Sequence, residues 1–374
     1  MLKITYAYGH GRERKINKSS NYSSDFLYGY DYLKKLNYDV DYIIPINKKN
    51  SLLIFVEKVL RKCTKLPFYM SDYISWNNIK KIFSSKIVIL TNDPIALSLL
   101  PILILYKLFK RGEIIVVIMG LLSKPKPNKL IKLFQNFIIR TLLFVSSKFI
   151  FLGKNEKLDA EKLYSNNKDK LSYLPFCVDT NFWHEEKVEK IYDFIFVGND
   201  GNRDYKFLIE MVEHFQNYRF LIISNNYQLS KYFENKTVFN ADFYKGSMSE
   251  SRITDAELRT MYNKSKVSLV PLNNTVQPSG QSVSLQSLSV GIPVIISDTK
   301  GNWFNGEKIS SEFIYTAKQN TIENWDQLIE NIHQESNDYV KISKRMTAYI
   351  KDNLDKSVFD LNLEKIILDV LDKN

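Results

Sequence analysis

The stretch Val267–Asp298, VSLVPLNNTVQPSGQSVSLQSLSVGIPVIISD, decides how this chain folds. Val267, Leu269 and Val270 make a short apolar, β-branched run, and a loop of Pro, Asn, Gln, Ser and Gly follows. Val283 to Val290 reads as a helix that stops at Gly291, with Pro293 just beyond and a buried strand at Val294–Ile296. Strand, loop, helix and strand in that order form a parallel crossover unit. Ligands of such sheets gather beyond the carboxyl ends of the strands, which is where Ser279-Gly280-Gln281-Ser282 falls.

A helix amino terminus carries about half a positive charge and several unpaired N–H groups, so it attracts phosphate oxygens. Gly280 lets a ligand approach the backbone, and Ser279 or Ser282 can add a hydroxyl. Taken alone, the same loop reads equally well as a plain structural turn.

The alternation extends along the chain. Candidate strands at Leu2–Tyr8, Asp41–Ile44, Ile87–Thr91, Ile114–Met119 and Phe149–Leu152 are separated by helices such as Ser24–Leu36 and Pro94–Lys107. Phe194–Val197, Arg219–Ile223, Val267–Val270, Val294–Ser297 and Phe313–Tyr315 repeat the scheme. Two open parallel α/β sheets are the expectation. At 374 residues and 44% hydrophobic content the chain can bury two cores.

Four segments in order resemble the retaining GT-B glycosyltransferases of family 4. Val267–Asp298 is similar to the family's diphosphate loop and helix. FIFVGNDGNRDYKFLI, residues 194–209, resembles the first strand of its donor domain with a glycine loop and a following Arg and Lys. LPFCVDTNFW, residues 174–183, resembles the segment that closes the first domain, and FDLNLEKIILDVL, residues 359–371, the last helix. The resemblance covers roughly Leu174 to Asn374.

It implies two Rossmann-like domains facing each other across a cleft. The acceptor domain spans 1–183 and the nucleotide-sugar domain 184–354, with a linker in Trp183–Lys190. A helix at 355–374 returns to the first domain. Gly280, Gln281, Ser282 and Val283 would hold the donor diphosphate, helped by Gly9 and Gly11. Gln286 would meet the ribose. Gln277, Ser279, Asn225 and Asn226 would meet the sugar or base. Gly9-His10-Gly11-Arg12 would lie near the acceptor, with His10 a candidate for activating it, Arg12 for binding it, and Asp93 for touching its hydroxyl.

Two departures stand out. The family commonly carries a pair of glutamates where Pro278 and Gln286 stand here. An amide keeps hydrogen-bonding capacity toward a ribose, whereas Pro278 cannot replace a carboxylate. The family's first-domain histidine is replaced by Met119.

Breaking the glycosidic bond requires stabilising a leaving diphosphate, and without a metal that work falls to cations and N–H groups. A unit charge about 4 Å from a phosphate oxygen is worth on the order of 4 kcal/mol at an effective dielectric of 20. Arg203 and Lys206, just after Gly198 and Gly201, are the candidates. The bland alternative makes them surface charges behind a capped helix. Asn92-Asp93-Pro94 likewise reads as a helix cap, with Asp93 as the capping residue.

The nearest Asp-x-Asp, Asp39-Val40-Asp41, enters a strand, so no metal and no cofactor are expected beyond the nucleotide-sugar co-substrate. Cys63 and Cys177 match no metal or redox spacing and read as free buried thiols. Ile95–Tyr106, interrupted by Pro101, is shorter than the roughly 20 residues of a spanning helix. Met1-Leu2-Lys3-Ile4 runs into a strand with no charged-then-apolar leader, so the expected location is cytoplasmic.

Net charge is +11. Residues 121–149 hold six basic side chains (Lys124, Lys126, Lys129, Lys132, Arg140, Lys148) and no acidic one, interleaved with Leu, Ile and Phe at helical spacing. Such a helix either faces the core with solvated lysines or lies on the inner face of an anionic membrane. Nucleic acid is a poor fit, because no recognition motif accompanies the charge.

The implied activity is transfer of a hexose from a nucleotide-diphosphate sugar, with retention, to a hydroxyl of a saccharide or lipid-linked acceptor of cell-surface glycan assembly. Rival readings are a nucleotide-sugar epimerase of the same fold and a catalytically degenerate binding protein.

Overall fold

The computed structural model describes residues 2–17, 20–46, 50–246, 253–304, 309–334 and 339–373. The chain divides into two compact units. The first comprises Met1–Ile16, Leu27–Pro175 and Phe359–Asn374, and the second Asn17–Phe26 and Phe176–Val358.

In the first unit the strands are β1 (Lys3–Ala7), β2 (Asp39–Ile43), β3 (Ile87–Leu90), β4 (Glu113–Ile118), β5 (Lys148–Phe151) and β6 (Leu171–Tyr173). They pair in the order β2-β1-β3-β4-β5-β6, every pair parallel. β3 (IVIL) and β4 (EIIVVI) are buried along their whole length, as expected of central strands covered on both faces.

The second unit holds β7 (Tyr192–Val197), β8 (Phe220–Ile223), β9 (Ala241–Tyr244), β10 (Ser265–Val270), β11 (Val294–Ser297) and β12 (Ile314–Ala317). Read from the other edge, their order is β9-β8-β7-β10-β11-β12, again parallel throughout. Chain direction across the sheet therefore reverses between β7 and β10. That is the topological switch point, where a crevice opens beyond the strands' carboxyl ends.

The helix Gln281–Ser289 ends as the sequence implies. Gly291 adopts φ +83°, and Ile292 N–H reaches back to the Ser287 carbonyl at 3.0 Å.

Several expectations need correcting. Ser24–Leu36 is not one helix but a 3-10 turn at Asp25–Leu27 and a helix at Tyr30–Lys35. Tyr6 on β1 and Tyr8 just after it donate their hydroxyls to the Tyr28 and Leu27 carbonyls at 2.8 and 2.7 Å, and Tyr28 and Gly29 turn left-handed between the two pieces. Strand contacts thus take carbonyls that a continuous helix would need. The helix Asp93–Lys110 runs through Pro101 without a break.

Asn92, not Asp93, caps that helix, accepting from Ile95 N–H at 2.9 Å. Cys63 is exposed rather than buried, and Cys177 is buried. The units change at Pro175–Phe176. Trp183 is fully buried in the second unit, and the following run is no free linker, since Glu186 pairs with Arg259 at 2.6 Å. The C-terminal helix Lys356–Asp372 ties into the first unit through Tyr32–Glu364 at 2.6 Å and Lys148–Asp369 at 3.0 Å.

Candidate functional site

At the switch point of the second unit, the loops that leave β7 and β10 are laced together. Asp204 N–H donates to the Pro271 carbonyl at 3.0 Å and Asn273 N–H to the Asn202 carbonyl at 2.8 Å. Asn202 Nδ2 reaches Ser279 Oγ at 2.8 Å, and Asn273 Nδ2 reaches the Arg203 carbonyl at 3.0 Å. These bonds fix the β7 loop against the residues that lead into the helix Gln281–Ser289.

Arg203 sits in this frame, only 4% exposed. Its Nε lies 3.4 Å from Asp200 Oδ2, yet Nε and Nη1 have no hydrogen-bond acceptor among the described residues. A buried cation with orphaned donors is costly to a protein. Such orphaned donors on a buried guanidinium suit the site to an anionic group.

Gly280 occupies the N-cap of the helix at φ +78°, and no side chain caps it. A Cβ built there would meet Val270 Cγ1 at 2.6 Å and Arg203 Nη1 at 3.0 Å. Gly198 is equally constrained, its missing Cβ lying against the Arg203 side chain. Both glycines are needed for the guanidinium to lie beside the helix start. An N-terminal helix dipole and a guanidinium then converge on one point, an arrangement suited to a diphosphate.

The other expected donor residues distribute as follows. Gln281, Ser279 and Val283 are buried and Ser282 is half-buried in the first turn and the loop before it. Gln277 is half-buried, its carbonyl packed against Gly301. Lys206 is exposed in the first turn of the helix Tyr205–His214. Asn226 caps the helix Tyr227–Asn235, accepting from Gln228 and Leu229 N–H, while Asn225 N–H bonds to Asn199 Oδ1 at the end of β8.

Gln286 faces inward. Its Nε2 donates to Asp25 Oδ2 at 3.3 Å, and Tyr262 Oη lies 3.5 Å from its Oε1. Sequence reasoning missed Asp25, which is fully buried. Its Oδ1 accepts from Asp179 N–H at 2.5 Å and its Oδ2 from Trp183 Nε1 at 2.6 Å and Ser23 Oγ at 3.2 Å. Trp183 in turn accepts from Ser289 Oγ through its carbonyl at 2.5 Å. Asp25 thereby braces the back of the helix whose front end carries Gly280. A glutamate at position 286 would set two carboxylates against each other, which explains an amide there.

In the first unit, Gly9, His10, Gly11 and Arg12 follow β1, and Asp93 follows β3, across the corresponding reversal of strand order. His10 is exposed, with Nε2 3.8 Å from Asp72 Oδ2. Gly11 turns left-handed at φ +81°, and Arg12 begins the short helix Arg12–Ile16. Asp93 is fully buried: Oδ1 accepts from Met119 N–H at 3.2 Å and Oδ2 has no partner among the described residues. Beside it, Glu156 accepts from Gly120 N–H at 2.8 Å and Leu122 N–H at 3.0 Å. Two buried carboxyls thus grip the loop that carries Met119.

Burial, reinforced by the neighbouring Asp93, pushes the Glu156 carboxyl up to about 7. Burial also raises Asp93. Between pH about 4.5 and 7 the folded chain keeps a proton that the unfolded chain has released, so stability falls as pH rises through that window. The loss from Glu156 is on the order of 3 kcal/mol. Glu156→Gln is expected to flatten the profile, read as urea midpoints at pH 5 and pH 8.

Among the described residues, no three His, Cys, Asp or Glu side chains gather as a metal site. Asp41 of the Asp39-Val40-Asp41 run pairs with Lys81 at 2.9 Å.

No protein-family model matches the sequence, and no curated protein does. Solved structures do. Sucrose-phosphate synthase from Thermosynechococcus elongatus superposes with a TM-score of 0.67 at 11% identity over 100% of both chains. Anabaena Alr3699/HepE in complex with UDP-glucose gives 0.65 at 9% identity over 99% of this chain and 100% of that one. A glycosyltransferase from Rickettsia africae gives 0.64 at 12% identity over 100% and 99%. The chain thus has the fold of these glycosyltransferases, the GT-B fold, with two Rossmann-like α/β units.

Proposed function

We propose that this chain is a glycosyltransferase that moves a hexose from a nucleotide-diphosphate sugar to a hydroxyl of a saccharide or lipid-linked saccharide, with retention of configuration. The observation that carries this reading is the buried Arg203 guanidinium, with two donors orphaned among the described residues, beside the uncapped helix start at Gly280. As the glycosidic bond breaks, charge grows on the leaving diphosphate. A preorganised guanidinium and amide N–H groups stabilise that charge without reorganisation. In this reading they supply what a metal would otherwise provide, with Lys206 as a second, outer cation.

A solved relative in fold, Anabaena Alr3699/HepE, is described in complex with UDP and with UDP-glucose, which favours a uridine donor. The long 3.5 Å contact to Tyr262 leaves Gln286 Oε1 with capacity for a ribose hydroxyl. Retention and the cell-surface glycan setting rest on the sequence resemblance to family 4. Pro278 in place of a carboxylate favours one rival, a protein that binds the donor without turning it over.

The test is calorimetric titration with UDP, GDP and ADP, followed by incubation with UDP-glucose, GDP-mannose and ADP-glucose. Binding of one diphosphate and its release from the matching sugar is the expected result. Binding without release supports the rival, and no binding of any diphosphate overturns both.

A further inference from the structure

The helix Lys129–Val145 carries two apolar stripes. Ile139, Leu142, Leu143 and Val145 face the first unit's core. A second set, Leu130, Leu133, Phe134, Phe137 and Phe144, recurs at helical spacing on the outward side, with Phe137 68% and Phe144 80% exposed. Burying the first stripe therefore does not account for the second.

Two neighbours show the same habit. The helix Ser51–Thr64, which packs on Lys129–Val145, exposes Leu52, Phe55 and Val59. The helix Asp93–Lys110, packed on it as well, exposes Leu105, Leu108 and Phe109 near its end, Phe109 by 76%. Exposed apolar groups scattered singly need no explanation, whereas stripes on three contacting helices mark an interaction surface.

Charge decides the partner. Exposed Lys126, Lys129, Lys132 and Arg140 border the stripe of Lys129–Val145, Lys58 and Lys62 lie on the second helix, and Lys110 and Arg111 close the third. The acidic side chains of these three helices, Glu57 and Asp93, are buried. A second copy docking through this face would oppose like charges, which is costly. Phenyl and leucyl groups ringed by ammonium and guanidinium groups match the boundary between acyl chains and phosphate headgroups.

We propose that this three-helix face docks the protein on an anionic phospholipid bilayer. Phe137, Phe144 and Phe109 enter the headgroup boundary, and the surrounding cations meet lipid phosphates. The surface stands independently of the transferase reading, because neither its residues nor its test involves a nucleotide.

The experiment is flotation of the full chain, without nucleotide, on vesicles of phosphatidylcholine alone or with about 30% phosphatidylglycerol. Binding to the anionic vesicles only, weakened at high salt, is expected. Phe137→Ser/Phe144→Ser and Lys126→Gln/Lys129→Gln/Lys132→Gln should each lower the bound fraction at least tenfold, with circular dichroism unchanged at these exposed sites. Absence of binding, or binding that both variants retain, overturns the proposal. So does a concentration-dependent dimer in gel filtration that the phenylalanine variant abolishes while no vesicle binding is seen.

Discussion

Replacing Arg203 by alanine is expected to cut turnover by about a hundredfold or more, the scale seen when one preorganised transition-state donor is removed. The guanidinium is held by the chain's own architecture: Gly198 and Gly280 give it room, and the β7 and β10 loops are bonded to each other around it. Affinity for the nucleoside diphosphate should fall as well. Stability should not fall. Nε and Nη1 are buried without acceptors among the described residues, so removing them relieves a cost. Steady-state rates with the donor, a diphosphate titration and a melting curve check the three parts. A folded variant with unimpaired turnover removes Arg203 from the mechanism.

Asp25→Ala should show the opposite pattern, a large loss of stability. The carboxylate accepts from a backbone amide, an indole, a hydroxyl and the Gln286 amide, all inside the second unit. Each buried donor left without a partner costs about 1–3 kcal/mol, so the variant is expected to lose on the order of 3–5 kcal/mol in urea unfolding. Asp25→Asn retains one acceptor oxygen and should lose less. Because Asp25 braces the helix that begins at Gly280, any Asp25→Ala protein that folds should also bind diphosphate more weakly. Wild-type stability in Asp25→Ala would show that these bonds are replaceable.

The two variants mark what sequence could and could not disclose. β7, β8, β10 and β11 are short apolar runs between turn residues, and each was legible from its own composition. Arg203 was singled out because it follows a strand and two glycines and matches a position of the family it resembles. β9, ADFY, was missed because it is a four-residue edge strand that never becomes fully buried. Asp25 was hidden for a different reason. It lies among residues that read as a helix start, and its partners at 179, 183 and 286 are remote in sequence. Lys206 shows the limit from the other side: spacing finds the cation, while its exposure depends on which face of the helix it occupies.

The assignment of residues 17–26 to the second unit, and of the final helix to the first, has a consequence for biogenesis. Neither half is one uninterrupted length of polypeptide. The segment bearing Asp25 must await partners translated more than a hundred residues later, and the first unit gains the helix residues from Phe359 onward only after the second unit has been made. Cutting the chain between Pro175 and Phe176 would yield two incomplete pieces, so expression trials on separate units should graft Asn17–Phe26 onto one and Phe359–Asn374 onto the other.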